Sequence, residues 1–455
     1  MRQQSSLECV CFTLIVDDIV LPSGVTYMAQ LGGGGPQTLF GWEVVSQCLR
    51  KHAPTPGALT TGLAAGVGPD LPPTCVSWLQ QVGVDTSGLL QHQRPTPRAW
   101  QVFEEDGRRT QVWRGPGGEG EELWDMLRPR LDTLPDHFLR AANFHIGVHP
   151  QHPPLRLLRE LRQRAHAAGG VLSVETYTGC EDPASPQQLQ ALLSSCDLFS
   201  PNELEAASLL GPAPPGQMAT ELLARAGPTG AGLVVVRCGA QGVVAASWAL
   251  PGQLVEVPAV PDTQVEDVTG AGNAFCGGLL AALHHTRCAP WLCGVTAARL
   301  EQEPGRNRPS PAAASPPPLL ADLVVGARAA ASGGDSAASQ GHGGRAGGAS
   351  GASTLPSPWS ACDSGRPGLQ GAGAALRQAA VWGVAAASLV VEVPGLPQPP
   401  LARLQQRVQG RVDAMRRQLG LPLQACRQPQ GARLTGYARV GRAMAQLAVR
   451  PHCCW

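Results

Sequence analysis

Apolar positions along the first part of the chain alternate between two periods. Short apolar runs at residues 9–20, 59–67, 142–148, 170–175, 233–238, 243–247 and 254–260 read as strands bounded by Gly, Pro or Asp. Residues 38–52, 76–82, 155–168 and 274–285 carry apolar side chains at helical spacing, and the segments 189–195, 197–200 and 203–210 continue the alternation. Residues 98–104 and 110–114 flank Asp106-Gly107, a hairpin-turn signal. Strands alternating with helices predict an α/β fold, a mainly parallel sheet covered by helices, with the hairpin as an edge excursion.

Residues 287–374 break this rhythm. They are rich in Ala, Gly, Ser and Pro, contain Pro316-Pro317-Pro318 and have few aromatics. Such a segment buries too little surface to offset its ordering entropy, so it is expected to be a disordered insertion, or retained noncoding sequence. Excising it brings the helix that ends near His285 next to the apolar run 375–391 and the amphipathic stretch 401–419. The core is thus expected in two parts, 9–286 and 375–420, with an unassigned tail 421–455.

Composition narrows the classes of function. A chain of 455 residues with 43% hydrophobic content builds a substantial core, and its net charge of +1 gives no field favouring nucleic acid or an anionic membrane. Lys51 is the sole lysine, and no basic cluster is interleaved with aromatics, so no nucleic-acid partner is expected. The 14 cysteines are scattered without a CxxC pair, which fits free thiols in a reducing interior. The apolar run 9–16 lies among Glu8, Asp17 and Asp18, too short and too acidic for a signal peptide. No uncharged run of about twenty strongly apolar residues appears, so no membrane span is expected. A cytoplasmic setting follows, with an organelle left open.

Four segments carry candidate chemistry. In Asp267-Val-Thr-Gly-Ala-Gly-Asn-Ala-Phe-Cys-Gly-Gly278, the small residues Gly270, Ala271 and Gly272 sit where a loop enters a helix. Free N–H groups and the positive dipole end there receive an anion. Leu31-Gly32-Gly33-Gly34-Gly35-Pro36-Gln37 lets the backbone approach a small polar ligand, or is a plain flexible loop. Ser200-Pro201-Asn202-Glu203-Leu204-Glu205 offers an amide and a carboxylate at a strand end. They suit the water shell of Mg²⁺, and equally a helix N-cap with first-turn acids. Arg237-Cys238-Gly239-Ala240-Gln241-Gly242 reads as a nucleotide-side turn or a tight turn without a ligand. His145, His149 and His152 recur at helix-like intervals, but Pro150, Pro153 and Pro154 forbid a regular helix, which leaves a loop more than a metal site.

The segment opening at Asp267 resembles the Asp-Thr-x-Gly-Ala-Gly-Asp signature of the PfkB, or ribokinase-like, carbohydrate kinases. The similarity extends over about residues 9–285 and 375–420. It implies a three-layer α/β/α sandwich with a mainly parallel sheet and a small β-hairpin lid. It also implies ATP-dependent phosphoryl transfer to a hydroxyl of a sugar or sugar-like molecule. By the resemblance, Gly270, Ala271 and Gly272 form the anion hole and Asn273 stands where the family has its general base, an Asp. Asp18, Gly32, Gly33 and Gln37 would line the acceptor pocket, and Gly239 and Gly242 would lie against ATP. Asn202 and Glu205 would organise Mg²⁺, and Asp267 a monovalent cation such as K⁺, or a turn. The quadruple glycine, the segment Pro97 to Arg109 and Asn273 resemble a divergent branch typified by the fungal maintenance-of-killer protein. An amide accepts no proton at neutral pH, so turnover is expected to be weakened. The alternative is a non-catalytic nucleotide- or sugar-binding protein acting as sensor or scaffold. Pairing of hairpin lids would make a homodimer.

Overall fold

The computed structural model describes residues 6–50, 59–105, 109–114, 121–182, 184–294 and 369–421. The strands are β1 Cys9–Phe12, β2 Ile15–Val20, β3 Thr26–Gly32, β4 Thr61–Val67, β5 Val84–Asp85, β6 Leu89–Gln91 and β7 Arg98–Phe103. They continue with β8 Arg109–Arg114, β9 Asn143–Val148, β10 Leu172–Thr176, β11 Leu198–Phe199, β12 Leu233–Arg237, β13 Val243–Ser247 and β14 Leu254–Val257. The helices are α1 Gly34–Leu49, α2 Pro73–Val82, α3 Glu121–Leu127, α4 Asp136–Leu139, α5 Leu155–Ala167 and α6 Pro186–Leu193. After them come α7 Glu203–Leu210, α8 Pro215–Ala226, α9 Ala271–His285, α10 Ala289–Leu292, α11 Leu369–Val390 and α12 Leu401–Gln418.

The main sheet runs β14-β13-β12-β11-β10-β9-β1-β4-β5, with β6 also on β4. From β12 to β5 every pair is parallel, and only β13 and β14 run against their neighbours. Successive side chains of a strand face opposite ways. Cys9 and Cys11 therefore enter the core under α1, α9, α11 and α12, while Val10 and Phe12 enter the one under α5, α6 and α8. Those two cores with the sheet between them are the expected three layers. A second sheet, ordered β3-β2-β7-β8, forms the lid.

Three local expectations change. Residues 9–20 are not one strand: β1 pairs in the main sheet and β2 in the lid. The break falls at Thr13, whose φ is +79°, and Gly33 and Gly35 pack against its carbonyl too closely for any side chain. Strand β3, which ends in the glycine run, carries no clear period in the sequence; helix α8, whose Met218, Ala219, Leu222, Leu223 and Ala226 recur at helical spacing, is a further element not assigned above. The expected insertion 287–374 is shortened at both ends. Helix α10 places Leu292 and Cys293 fully inside the core, and Ser247 Oγ donates to the Leu292 carbonyl at 2.7 Å. Helix α11 starts at Leu369 and buries Ala372. The rest of that segment, the tail beyond 421 and the turn Asp106-Gly107 lie outside the described residues.

Residues Gly371–Val390 are long and apolar enough to cross a membrane by length and composition, yet most of the stretch is buried in this fold. Gly278 and Gly383 let α11 lie against α9: a Cβ on Gly278 would stand 3.0 Å from the Ala386 Cβ, and one on Gly383 would stand 2.8 Å from the Phe275 ring. Gly41 and Gly277 do the same for α1 and α9, where added Cβ atoms would fall 2.0 Å from the Ala274 carbonyl oxygen and 1.9 Å from that of Thr38. Helix α9 is thereby fixed along its length, and its N-terminus is set at the carboxyl ends of the strands, where ligands bind in open α/β sheets.

Candidate active site

The turn that opens α9 is crowded by two side chains from other elements. Gly270 adopts φ +78°, and a Cβ there would lie 2.4 Å from the Gln37 side chain. A Cβ on Gly272 would lie 1.8 Å from Arg237 Nη1. Two buried donors close by, Thr269 Oγ1 in the turn and Nε of Arg237, have no hydrogen-bond partner among the described residues. Unmet donors, a cationic side chain and a helix mouth together suit phosphate oxygens. Asp267 fixes the turn: Oδ1 accepts the Thr269 N–H at 2.8 Å and Oδ2 accepts the Gly395 N–H at 2.9 Å. Its turn-capping role is therefore filled by direct bonds.

The glycine loop meets this turn. Gln37 touches Gly270 and lies 2.5 Å from the Asn273 amide. The four glycines differ in use. Gly33 and Gly35 are forced by the backbone of the β1–β2 break, Gly32 by the Asp17 carboxylate, and Gly34 faces Glu175, whose Oε1 would lie 3.8 Å from an added Cβ. Sequence motifs distant along the chain thus converge, the glycine run 32–37 that leads from β3 into α1 and the turn 270–273, and the end of β10 joins them.

Asp18 does not face that loop. Its carboxylate accepts from Arg98 Nε at 2.7 Å and Nη2 at 2.6 Å, from the Ala29 N–H at 2.8 Å, and from Arg114. Burial would raise its pKa, but the Arg98, Ala29 and Arg114 hydrogen bonds outweigh burial and lower it. These bonds cross the lid sheet, so the hydroxyl-holding role expected of Asp18 does not match its surroundings. The pleat explains the change: the adjacent Asp17 points the other way, and its Oδ2 fills the space at Gly32. Gln101 Nε2 donates to Asp17 Oδ1 at 2.9 Å. Burial pushes the Asp17 pKa up to about 7, against the Gln101 hydrogen bond and the Arg109 charge.

At the centre stands Glu175, 3% exposed at the end of β10. Arg237 Nη1 approaches its Oε2 at 2.9 Å, His145 Nε2 its Oε1 at 3.4 Å, and the Cys276 Sγ its Oε2 at 3.7 Å. Burial alone would raise the Glu175 pKa; Arg237 and His145 more than offset it and hold the carboxyl below its ordinary value. Burial and the Glu175 charge push the Cys276 thiol up, so it stays protonated. With its nitrogen turned toward Glu175, the Asn273 amide donates to Oε2 at 3.0 Å and also contacts Oε1, while its oxygen faces Gln37.

Glu175 and Arg237 are the site residues that sequence patterning does not pick out. The available signal was a charged residue at or next to the end of each of two strands, LSVET and LVVVR, where burial without a partner is costly. His145 belongs to this cluster, while His149 and His152 lie against each other with ring centres 5.3 Å apart and His149 meets the Tyr177 ring.

Asn202 and Glu205 form a capping box on α7, each side chain bonded to the other's backbone N–H at 2.8 Å. Oε2 of Glu205 also accepts Thr176 Oγ1 at 2.8 Å and faces Arg237 Nη2 at 3.4 Å. Burial raises its pKa, against the opposing pull of Arg237. With Oε2 engaged three times, Oε1 remains to accept from water, which fits Mg²⁺ held through its hydration shell. A bridge between Asn202 and Arg237 sets this cap beside the end of β12. In the turn that follows, Gly239 has φ +53° and open space around its Cα, while Gly242 is held by the Val257 carbonyl, 2.1 Å from a Cβ position.

A parallel sheet between two helical layers, a small lid sheet and an anion cradle at the mouth of α9 define a ribokinase-like α/β fold. Solved structures share it: ribokinase from Giardia lamblia at a TM-score of 0.53 and 16% identity, spanning 89% of this chain and 99% of that one. ATP-bound fructokinase from Xylella fastidiosa also has a TM-score of 0.53 and 16% identity, spanning 89% and 98%. Residues 67–290 match the pfkB family carbohydrate kinases, and the chain carries a kinase domain of that family. Among curated proteins it is similar to a cytidine kinase of Thermococcus kodakarensis, 29% identical over 50% of this chain and 74% of the relative. It is also similar to an uncharacterized protein of Schizosaccharomyces pombe, 25% identical over 60% and 77%.

Proposed function

We propose that the chain transfers the terminal phosphoryl group of ATP to a hydroxyl of a sugar or nucleoside-like acceptor. The observation that carries this reading is the contact of the Gly270–Gly272 turn with Gln37. It sets a phosphate cradle directly against the glycine run 32–37. The turn's N–H groups, Thr269 and Arg237 receive phosphate oxygens there. Asp17 and Gln37 hold acceptor hydroxyls beside Gly32 and Gly33, while Asp18 stiffens the lid that covers them. ATP lies toward Gly239 and Gly242, and Mg²⁺ held through water at Glu205 and Asn202 offsets phosphate charge when bound. Asp267 remains the residue to which a K⁺ site would attach. Phosphoryl transfer depends mostly on such placement and charge compensation. A ribosyl hydroxyl is a natural acceptor, given the similarity to a cytidine kinase.

Asn273 favours a second reading, a nucleotide-binding protein without turnover, because an amide accepts no proton at neutral pH. The purified chain with ATP and Mg²⁺ separates the two. ADP release is measured against pentoses, hexoses and nucleosides including cytidine, and ATP binding by calorimetry. Acceptor-dependent ADP release is expected. Binding without release from any acceptor selects the second reading, and no binding removes both.

A further inference from the structure

We infer that Glu175 supplies the carboxylate that takes the acceptor hydroxyl's proton, a role that Asn273 cannot fill. This rests on the kinase reading above. The side chain that α9 turns toward Gln37 and the glycine run is an amide. Directly beside it stand both Glu175 oxygens, Oε2 at 3.0 Å from the amide nitrogen. The other oxygen, Oε1, contacts the same amide and His145 Nε2, and it stands 3.8 Å from where a Cβ on Gly34 would lie. Glycine at 34 therefore adds no side chain beside that oxygen, on the side where the glycine run would place the acceptor.

The charge arithmetic of the pair supports the assignment. An Asp at 273 would set a second carboxylate where the amide now lies, 3.0 Å from Oε2. Two carboxylates at that separation cannot both ionise at neutral pH. With Asn at 273, the pair keeps one negative charge, and that charge sits at the end of β10 instead of the first turn of α9. The neighbours suit a proton acceptor. Arg237 and His145 keep Glu175 ionised before reaction, and Cys276 stays a thiol and does not compete. The same three groups, His145, Glu175 and Cys276, lie within 4.8 Å of one another, a spacing that a metal ion would tolerate. The Arg237 guanidinium already holds the cationic position, 2.9 Å from Glu175, so a metal does not fit. A purely structural ion pair also explains less, because Arg237 has a second carboxylate in Glu205.

In the step, the acceptor oxygen bonds to phosphorus while the bond from phosphorus to the ADP oxygen breaks, its electron pair leaving with ADP. The hydroxyl proton passes to a Glu175 oxygen, and the neutral acid returns it to water once product has gone.

Four proteins test this: the natural chain, E175Q, N273D and the exchange E175Q/N273D, assayed for acceptor-dependent ADP release with ATP affinity measured in parallel. E175Q is expected to lower kcat about 10²- to 10⁴-fold, the usual range for a general base, with ATP affinity retained. The exchange is expected to recover at least about tenfold of that loss, which a merely structural pair would not do. N273D alone is expected to give no gain. A natural kcat in E175Q, no recovery in the exchange, or a gain above about tenfold in N273D each overturns the inference while leaving the kinase reading standing. If E175Q does not fold, the N273D outcome decides alone. Absence of turnover in the natural chain removes the kinase reading, and this inference with it.

Discussion

At the scale of single residues, the two neighbouring aspartates of β2 divide the work. Asp18 is bound to arginines of the lid, while Asp17 is buried against Gly32 with a pKa raised to about 7. Because the fold favours its neutral form, the folded chain holds a proton there that the unfolded chain has already released. Stability contributed at this position is therefore present at low pH and is lost as pH rises from the ordinary carboxylate range toward 7. Melting temperatures between pH 5 and pH 8 are expected to fall more in the natural chain than in D17N. Activity runs the other way, since an ionised Asp17 accepts hydroxyl hydrogen bonds. An acidic limb in kcat/KM centred near pH 7 is expected and should vanish in D17N. That variant also loses about 10- to 100-fold in kcat/KM, the worth of a hydrogen bond to a charged group. A pH profile with the same limb in both proteins would count against Asp17. The family resemblance singled out Gly270 to Asn273, Gln37, Asn202 and Glu205 on local motifs, and the fold sets the first two in contact. It pointed to Asp18, whereas the fold turns Asp17 toward Gly32, because a carboxylate's direction depends on where β1 gives way to β2, and that depends on Thr13 and the glycines packed against it.

Among elements, α9 matters most, since the cradle is its N-terminus and its neighbours decide where that end lies. The approach of α1 leaves no room at Gly41, where an added methyl would collide with the Ala274 carbonyl oxygen at 2.0 Å. G41A is expected to destabilise the fold by about 1–3 kcal/mol, the common cost of overpacking. It should also weaken ATP binding by moving the cradle off Gln37. Urea unfolding and calorimetry measure both, and an unchanged midpoint would mean that the helices can part freely. The parallel strands and the amphipathic helices α5 and α12 are legible in the chain because their apolar periods are regular. Strand β3 is not, since a half-exposed lid strand carries no strong period; helix α8 has a regular period in Met218, Leu222 and Ala226, but Pro214 and Pro215 at its start read as a break. The charged ends of β10 and β12 are a similar case. Glu175 and Arg237 read as strand boundaries until the sheet sets them side by side.

For the whole molecule, the described residues on either side of the segment 295–368 complete the three layers without it. Replacing that segment by a Gly/Ser linker is expected to leave the melting transition within a few degrees and ATP affinity within about threefold. Loss of the cooperative transition would show that the core depends on it. The part that follows is another matter. The signature turn is tied to it through the Asp267 carboxylate on Gly395 and through the Glu266 N–H on the Val391 carbonyl at 2.7 Å. On the ribosome, the phosphate cradle therefore stays unsupported until more than a hundred later residues have been made. A shortened translation product that stops before α11 would contain the whole diagnostic motif and still lack the anchor that gives it its shape.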